Sequence, residues 1–164
     1  MLFRSEQMSL LGPARTRRED EPSSGPVSFR EIADLPLILP SVGHGLRDLV
    51  EERALSEDIH LETIVELDTY SQIKLLVERG LGYSILPKAA LRTEVEQGRL
   101  RTWPAGDPVL SRDLFLVHSN DRPLRNAVQV IGNLAEATLC RLVSDGVWPA
   151  DLVSSTRASV QRSR

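Results

Sequence analysis

The sequence predicts an α/β fold, with mixed, mostly parallel sheets and helices packed against them. Three observations carry this. The stretch from Val65 to Pro87, VELDTYSQIKLLVERGLGYSILP, reads as a single strand–helix–strand unit. Around it, short apolar runs alternate with amphipathic stretches joined by short polar links, the pattern of strands connected through helices and therefore laid parallel. The core must also be mainly aliphatic, because hydrophobic residues make up 41% of the chain but aromatics only 4%.

Taken in chain order, Leu2 to Gly12 contains one short apolar stretch, Met8-Ser9-Leu10-Leu11, which can be a strand but has no partner nearby in sequence. Ala14 to Pro26 is rich in charge, Pro, Ser and Gly and carries no periodic apolar face, so an exposed linker is expected. Ser28 and Glu31 have the S-x-x-E spacing of a capping box, which starts a short helix reaching about Asp34. Pro36 to Pro40 is a buried strand bracketed by prolines. Leu46, Leu49, Val50 and Ala54 then outline an amphipathic helix.

In the strand–helix–strand unit, Ile64 to Leu67 is the incoming strand. Thr69 and Gln72 have the T-x-x-Q capping spacing, and Tyr70, Ile73, Leu76 and Val77 recur at helical intervals. Gly80 closes the helix in a left-handed conformation, and Tyr83 to Leu86 is the next buried strand, ended by Pro87. Beyond it, Ala89 to Glu96 reads as a short helix, Gly98 to Trp103 as a short strand and Arg112 to His118 as a firmer one. Leu124 to Val143 is the longest helix, with Val128, Ile131, Leu134, Ala135, Leu139 and Leu142 on one broad face and Cys140 at or beside it. From Asp151 onward the chain is polar, and a frayed tail is expected.

Charge and composition exclude several functions. A net charge of −3 offers no general attraction to nucleic acid phosphates. The single Cys140 rules out an internal disulfide and fits a reducing compartment. No apolar run approaches the roughly 20 residues of a membrane span, and the start MLFRSEQMSLLGP lacks a signal peptide's apolar core and cleavage site. A cytoplasmic protein without membrane contact is the expectation.

In open α/β sheets, ligands sit where strand ends meet helix starts. Two such places stand out, Leu39-Pro40-Ser41-Val42-Gly43-His44-Gly45-Leu46-Arg47 and Asp68-Thr69-Tyr70-Ser71. Hydroxyls there can hold an anion, or they can serve only as helix caps. His44, His60 and His118 form no metal-ligand pair at recognised spacing. Ser41 and His44 lie outside any G-x-S-x-G elbow, and Gly80-Leu81-Gly82 follows a helix, the reverse of a phosphate-binding order. Neither a nucleophile, a metal nor a cofactor is assigned, so no enzyme is expected.

LPLILPSVGHGLRDLVE (Leu35 to Glu51), VELDTYSQIKLLVERGLGYSILP, EQGRLRTWP and DPVLSRDLFLVHS, in that order and spacing, resemble the carboxyl-terminal part of the effector-binding domain of LysR-type transcriptional regulators. The resemblance covers about Leu2 to Leu142. It implies a type 2 periplasmic-binding-protein-like fold with the second lobe nearly complete and the first partial. Residues 1–13 would be a fragment of lobe one, 14–27 the linker, 28–106 lobe two, 107–145 the return to lobe one with the carboxyl-terminal helix, and 146–164 a flexible tail.

The same resemblance implies an effector-sensing domain whose ligand, a small, anionic molecule, sits between lobes. Ser41, His44, Thr69 and Ser71 are its expected contacts. DNA would be met only through a helix-turn-helix domain absent here, and a homo-oligomer is possible in that family. A stand-alone solute-binding module or small α/β enzyme is the alternative.

Overall fold

The structure, a computed structural model, describes residues 2–15, 22, 24–115, 117 and 126–151. Residues 16–21 and 23 of the expected linker, His118, the start of the long helix and the tail beyond Asp151 lie outside the described residues. The chain divides into two compact units, Gln7–Arg112 and Met1–Glu6 with Asp113–Arg164.

The larger unit is built from locally legible pieces. Helix α1 (Phe29–Ala33) opens on a complete capping box: the Glu31 N–H donates to Ser28 Oγ at 3.3 Å, and the Ser28 N–H donates to Glu31 Oε2 at 2.9 Å. It buries Phe29 and Ile32. Strand β2 (Leu37–Leu39) is buried throughout, and α2 (Gly45–Leu55) follows it with Leu46, Val50 and Ala54 facing inward. Strand β3 (Thr63–Glu66) runs parallel to β2, with Leu37 opposite Thr63 and Leu39 opposite Glu66. It is an outer strand, so Ile64 and Val65 remain exposed, although their apolar character suggested an inward face.

Helix α3 (Tyr70–Glu78) buries Ile73 and Val77, while Tyr70 and Leu76 pack on the edge of the core. The chain turns at Gly80, whose φ is +80°, a conformation that costs glycine nothing. It then returns on the far side of β2. Tyr83 lies parallel beside Leu37, donating its N–H to the Pro36 carbonyl and accepting from the Ile38 N–H, both at 2.8 Å. The expected strand–helix–strand crossover is therefore present, with β2 lying between its two strands. Strand β4 (Ser84–Pro87) is buried at every residue. A 3-10 turn (Lys88–Leu91) and α4 (Arg92–Glu96) lead to β5 (Leu100–Pro104).

The larger sheet corrects the expectation of mostly parallel sheets. Its centre is β1 (Leu2–Pro13), and β4, β5 and the short β7 (Ala150–Asp151) all run antiparallel to it; β6 (Ser111–Phe115) also pairs with it. The physical reason lies in the register. Leu10 faces Ile85 on one side and Trp103 on the other, so β4 and β5 are parallel to each other and joined by a helical crossover. A strand from the start of the chain has been inserted between them in the reverse direction. The Met8–Leu11 stretch, without a partner in its own neighbourhood, is thus the most heavily paired strand of the unit. Met8, Leu10 and Leu11 are fully buried and join Phe29, Ile38, Val50, Ile73, Val77 and Ile85 in one mainly aliphatic core.

In the smaller unit, Ser5 and Glu6 of β1 pair with Asp151 and Ala150 of β7, and the Trp148 indole N–H donates to Glu6 Oε1 at 3.2 Å. Helix α5 (Asn126–Ser144) has no buried residue, and Cys140 is exposed on it. Among the described residues no helix is long and apolar enough to cross a membrane.

Candidate functional site

The parallel pair β2 and β3 ends at one edge, where the Leu67 N–H donates to the Leu39 carbonyl at 3.1 Å. Each strand passes through a short turn into a helix, so the starts of α2 and α3 and their outward-pointing N–H groups lie beside those strand ends. The two turns are tied together. The Ser41 N–H donates to Asp68 Oδ1 at 2.9 Å.

Each side chain of the first turn has a definite position. Gly43 turns the chain at φ +86°. His44 caps α2, its Nδ1 accepting the Leu46 N–H at 3.2 Å, so in the neutral ring the proton lies on Nε2. The ring stands 6.3 Å from that of Tyr70, tilted by 54°. One turn further into α2, the buried Arg47 reaches back to the Pro40 carbonyl at 3.2 Å and binds Glu51 at 2.6 Å and Glu66 at 3.6 Å. It holds the end of β2 against the start of α2 and does not face the turn.

These turns border an open cavity of about 290 Å³ lined by Ser41, Val42, Gly43, His44 and Asp68. The Ser41 backbone N–H, and after it the Ser41 hydroxyl, hold the Asp68 carboxyl below the usual carboxylate range. Asp68 is therefore a carboxylate at neutral pH. A second cavity of about 260 Å³, at the other end of α2, is lined by Glu51, Ala54, Leu55, Ile59, His60 and Leu61. No group of three or more His, Cys, Asp or Glu among the described residues could hold a metal ion.

Of the expected contacts, Ser41 and His44 line the first cavity. Thr69 is the N-cap residue of α3, but its hydroxyl makes no capping hydrogen bond. The Gln72 and Ile73 N–H groups donate instead to the Thr69 carbonyl at 3.0 and 3.1 Å, so the T-x-x-Q spacing yields no capping box and the exposed hydroxyl is left for another role. Ser71 is exposed in the first turn of α3. Neither Thr69 nor Ser71 is among the residues lining that cavity.

Residues 2–139 match the family model described as the LysR substrate binding domain. The chain belongs to this family. Among curated relatives, it is 23% identical to the HTH-type transcriptional regulator BbuR of Bordetella bronchiseptica over 88% of this chain and 43% of that protein. It is 32% identical to the HTH-type regulator YeiE of Escherichia coli K12 over 64% of this chain and 36% of that one. The chain thus spans less than half the length of either relative. Among solved structures, the effector binding domain of QuiR in complex with shikimate superposes with a TM-score of 0.70 at 15% identity, covering 86% of this chain and 65% of that one. At that identity the likeness shows the fold alone, a type 2 periplasmic-binding-protein-like one.

Within this LysR-family fold, Asp68 and Arg47 lie in the two stretches that the sequence marked, but they were not among its expected contacts. Asp68 had a signal, an acid placed just before a helix N-cap at a strand end. Arg47 had none, because only the fold brings Pro40 and Glu66 to it.

Proposed function

We propose that this chain is the effector-sensing part of a LysR-type bacterial transcriptional regulator, binding a small organic acid at the edge formed by Ser41, His44 and Asp68. The observation that carries the reading is the cavity where the ends of two parallel strands meet the starts of two helices. The shikimate complex of QuiR, a structure of the same fold, supports a small-molecule ligand. In this reading residues 28–106 form the second lobe, and the Thr69 and Ser71 hydroxyls extend the contact surface beyond the cavity. The domain acts by binding rather than catalysis, and DNA is met through a helix-turn-helix segment of the kind the relatives' names record.

A thermal-shift screen of small organic acids, followed by calorimetric titration of the acid that stabilises most, tests the assignment. Losing one hydrogen bond of about 1 kcal/mol weakens binding roughly fivefold. Ser41→Ala and Thr69→Ala should therefore each lower affinity by at least that factor while the melting temperature barely moves. Affinity unchanged in both variants would reduce the two hydroxyls to scaffold. A screen in which no acid stabilises the chain would overturn the reading.

A further inference from the structure

Two of the backbone donors at this edge are already taken by the chain itself. The Ser41 N–H is taken by Asp68 at 2.9 Å and the Leu46 N–H by His44 Nδ1 at 3.2 Å. No Lys or Arg lines the cavity. Arg47, close by in sequence, is buried against the Pro40 carbonyl, Glu51 and Glu66. A free anion entering here would meet a fixed carboxylate and no compensating cation.

The cavity's own groups favour a different visitor. A carboxylate has about four lone-pair sites, and the Ser41 N–H occupies one, with the Ser41 hydroxyl drawing on another. The remaining lone pairs accept from a ligand. With Nδ1 engaged, neutral His44 offers a donor at Nε2. A carboxylate acceptor and an imidazole donor lining one cavity match a single group that donates and accepts together, which is a hydroxyl.

We infer that Asp68 determines specificity at this site: the effector is a hydroxy acid whose hydroxyl, and not its acid group, enters the Ser41–His44 cavity, donating to Asp68 and accepting from His44. This rests on the proposed effector site. The acid group then lies outside the cavity, within reach of other donors such as the Thr69 and Ser71 hydroxyls.

Three probes on one carbon skeleton separate the possibilities: succinate without a donor, malate with a hydroxyl and aspartate with an ammonium. Each is titrated into the full chain while the backbone amides of residues 41–44 are followed by NMR. Malate should bind about tenfold more tightly than succinate, with aspartate between them. In Asp68→Asn, which can still accept the Ser41 N–H and keeps the turn folded, the malate preference should fall below threefold. Equal affinities for succinate and malate, or a preference that survives Asp68→Asn, would overturn the inference and leave the site reading standing. Aspartate binding above malate would overturn the hydroxyl assignment in favour of an ammonium. Amides at 41–44 unmoved by all three probes would overturn the site reading and the inference together.

Discussion

Arg47 Nη1 donates to the Pro40 carbonyl at 3.2 Å in a buried position, fastening the end of β2 to the first turn of α2. The same guanidinium binds Glu51 and Glu66, so one side chain sets the shape of the strand end from which the Ser41–His44 turn departs. Hydrogen bonds to charged groups contribute about 1.5–3 kcal/mol each. Because Glu51 and Glu66 are partly hydrated, Arg47→Ala should cost near the upper end of one such bond rather than the sum of three. Urea unfolding measures this. Arg47→Lys keeps the charge but loses the planar fork, so it should recover only part of the loss; full recovery would show that charge alone suffices.

Gly82 and Gly45 should respond oppositely to alanine. A Cβ at Gly82 would stand 2.6 Å from the Pro36 carbonyl oxygen and 3.1 Å from Ile38 Cγ1. Relief requires moving the backbone that carries the Tyr83–Pro36 hydrogen bond. Overpacking of this kind costs about 1–3 kcal/mol, and Gly82→Ala should lie near the top of that range. Gly45, at the start of α2, has open space around it, so Gly45→Ala should stabilise by about 0.4–1 kcal/mol through the unfolded chain. Denaturation midpoints of the two variants on opposite sides of the wild type are the expected result.

Glu94 gives a pH-dependent contribution. Burial pushes its carboxyl up, but the hydrogen bond from Lys74, its own backbone N–H and the charges of Lys74 and Arg99 outweigh this and hold it below the ordinary 4.5. Lys74 Nζ lies 2.8 Å from Glu94 Oε1, and both side chains are largely buried. A carboxylate with a lowered native pKa stabilises fully above its unfolded value and loses that contribution as pH falls through the native one. Glu94→Gln should therefore destabilise at pH 7 by roughly 1.5–3 kcal/mol, and the gap between variant and wild type should narrow as pH falls below the ordinary 4.5 and close once it has passed the lowered native value. A gap independent of pH would show that packing, not charge, is lost.

The helices and the crossover were legible because their signals are local. Ser28 and Glu31 cap α1 as their spacing indicates, and Ile73 and Val77 bury the face their period marks. What the sequence concealed is non-local. Nothing near Met8–Leu11 announces that Ile85 and Trp103 will flank Leu10, so the antiparallel centre of the larger sheet could not be read. Thr69 misled for a subtler reason. Its spacing to Gln72 fits a capping box, yet the first-turn N–H groups of Gln72 and Ile73 reach its carbonyl and its side chain goes unused. Ser41 and His44 could be placed at the strand end, whereas the Asp68 carboxylate that closes the turn from the neighbouring strand required the fold.

Helix α5 carries a face that should drive association. Val128, Ile131 and Leu134 recur every third residue and are 47%, 67% and 65% exposed, although their period marks a core face. A contiguous apolar stripe on a surface favours self-association or capture of a partner, while polar replacement of exposed residues changes stability by only about 0.5 kcal/mol. Gln is a good helix former, so Ile131→Gln with Leu134→Gln removes the apolar surface and keeps the helix. Sedimentation velocity across a concentration series should show wild-type mass rising with concentration and the double variant staying nearer the single-chain mass, with circular dichroism unchanged. Equal association in both proteins would place the sticky surface elsewhere. A variant that loses helicity would show that α5 is held by contacts on that face.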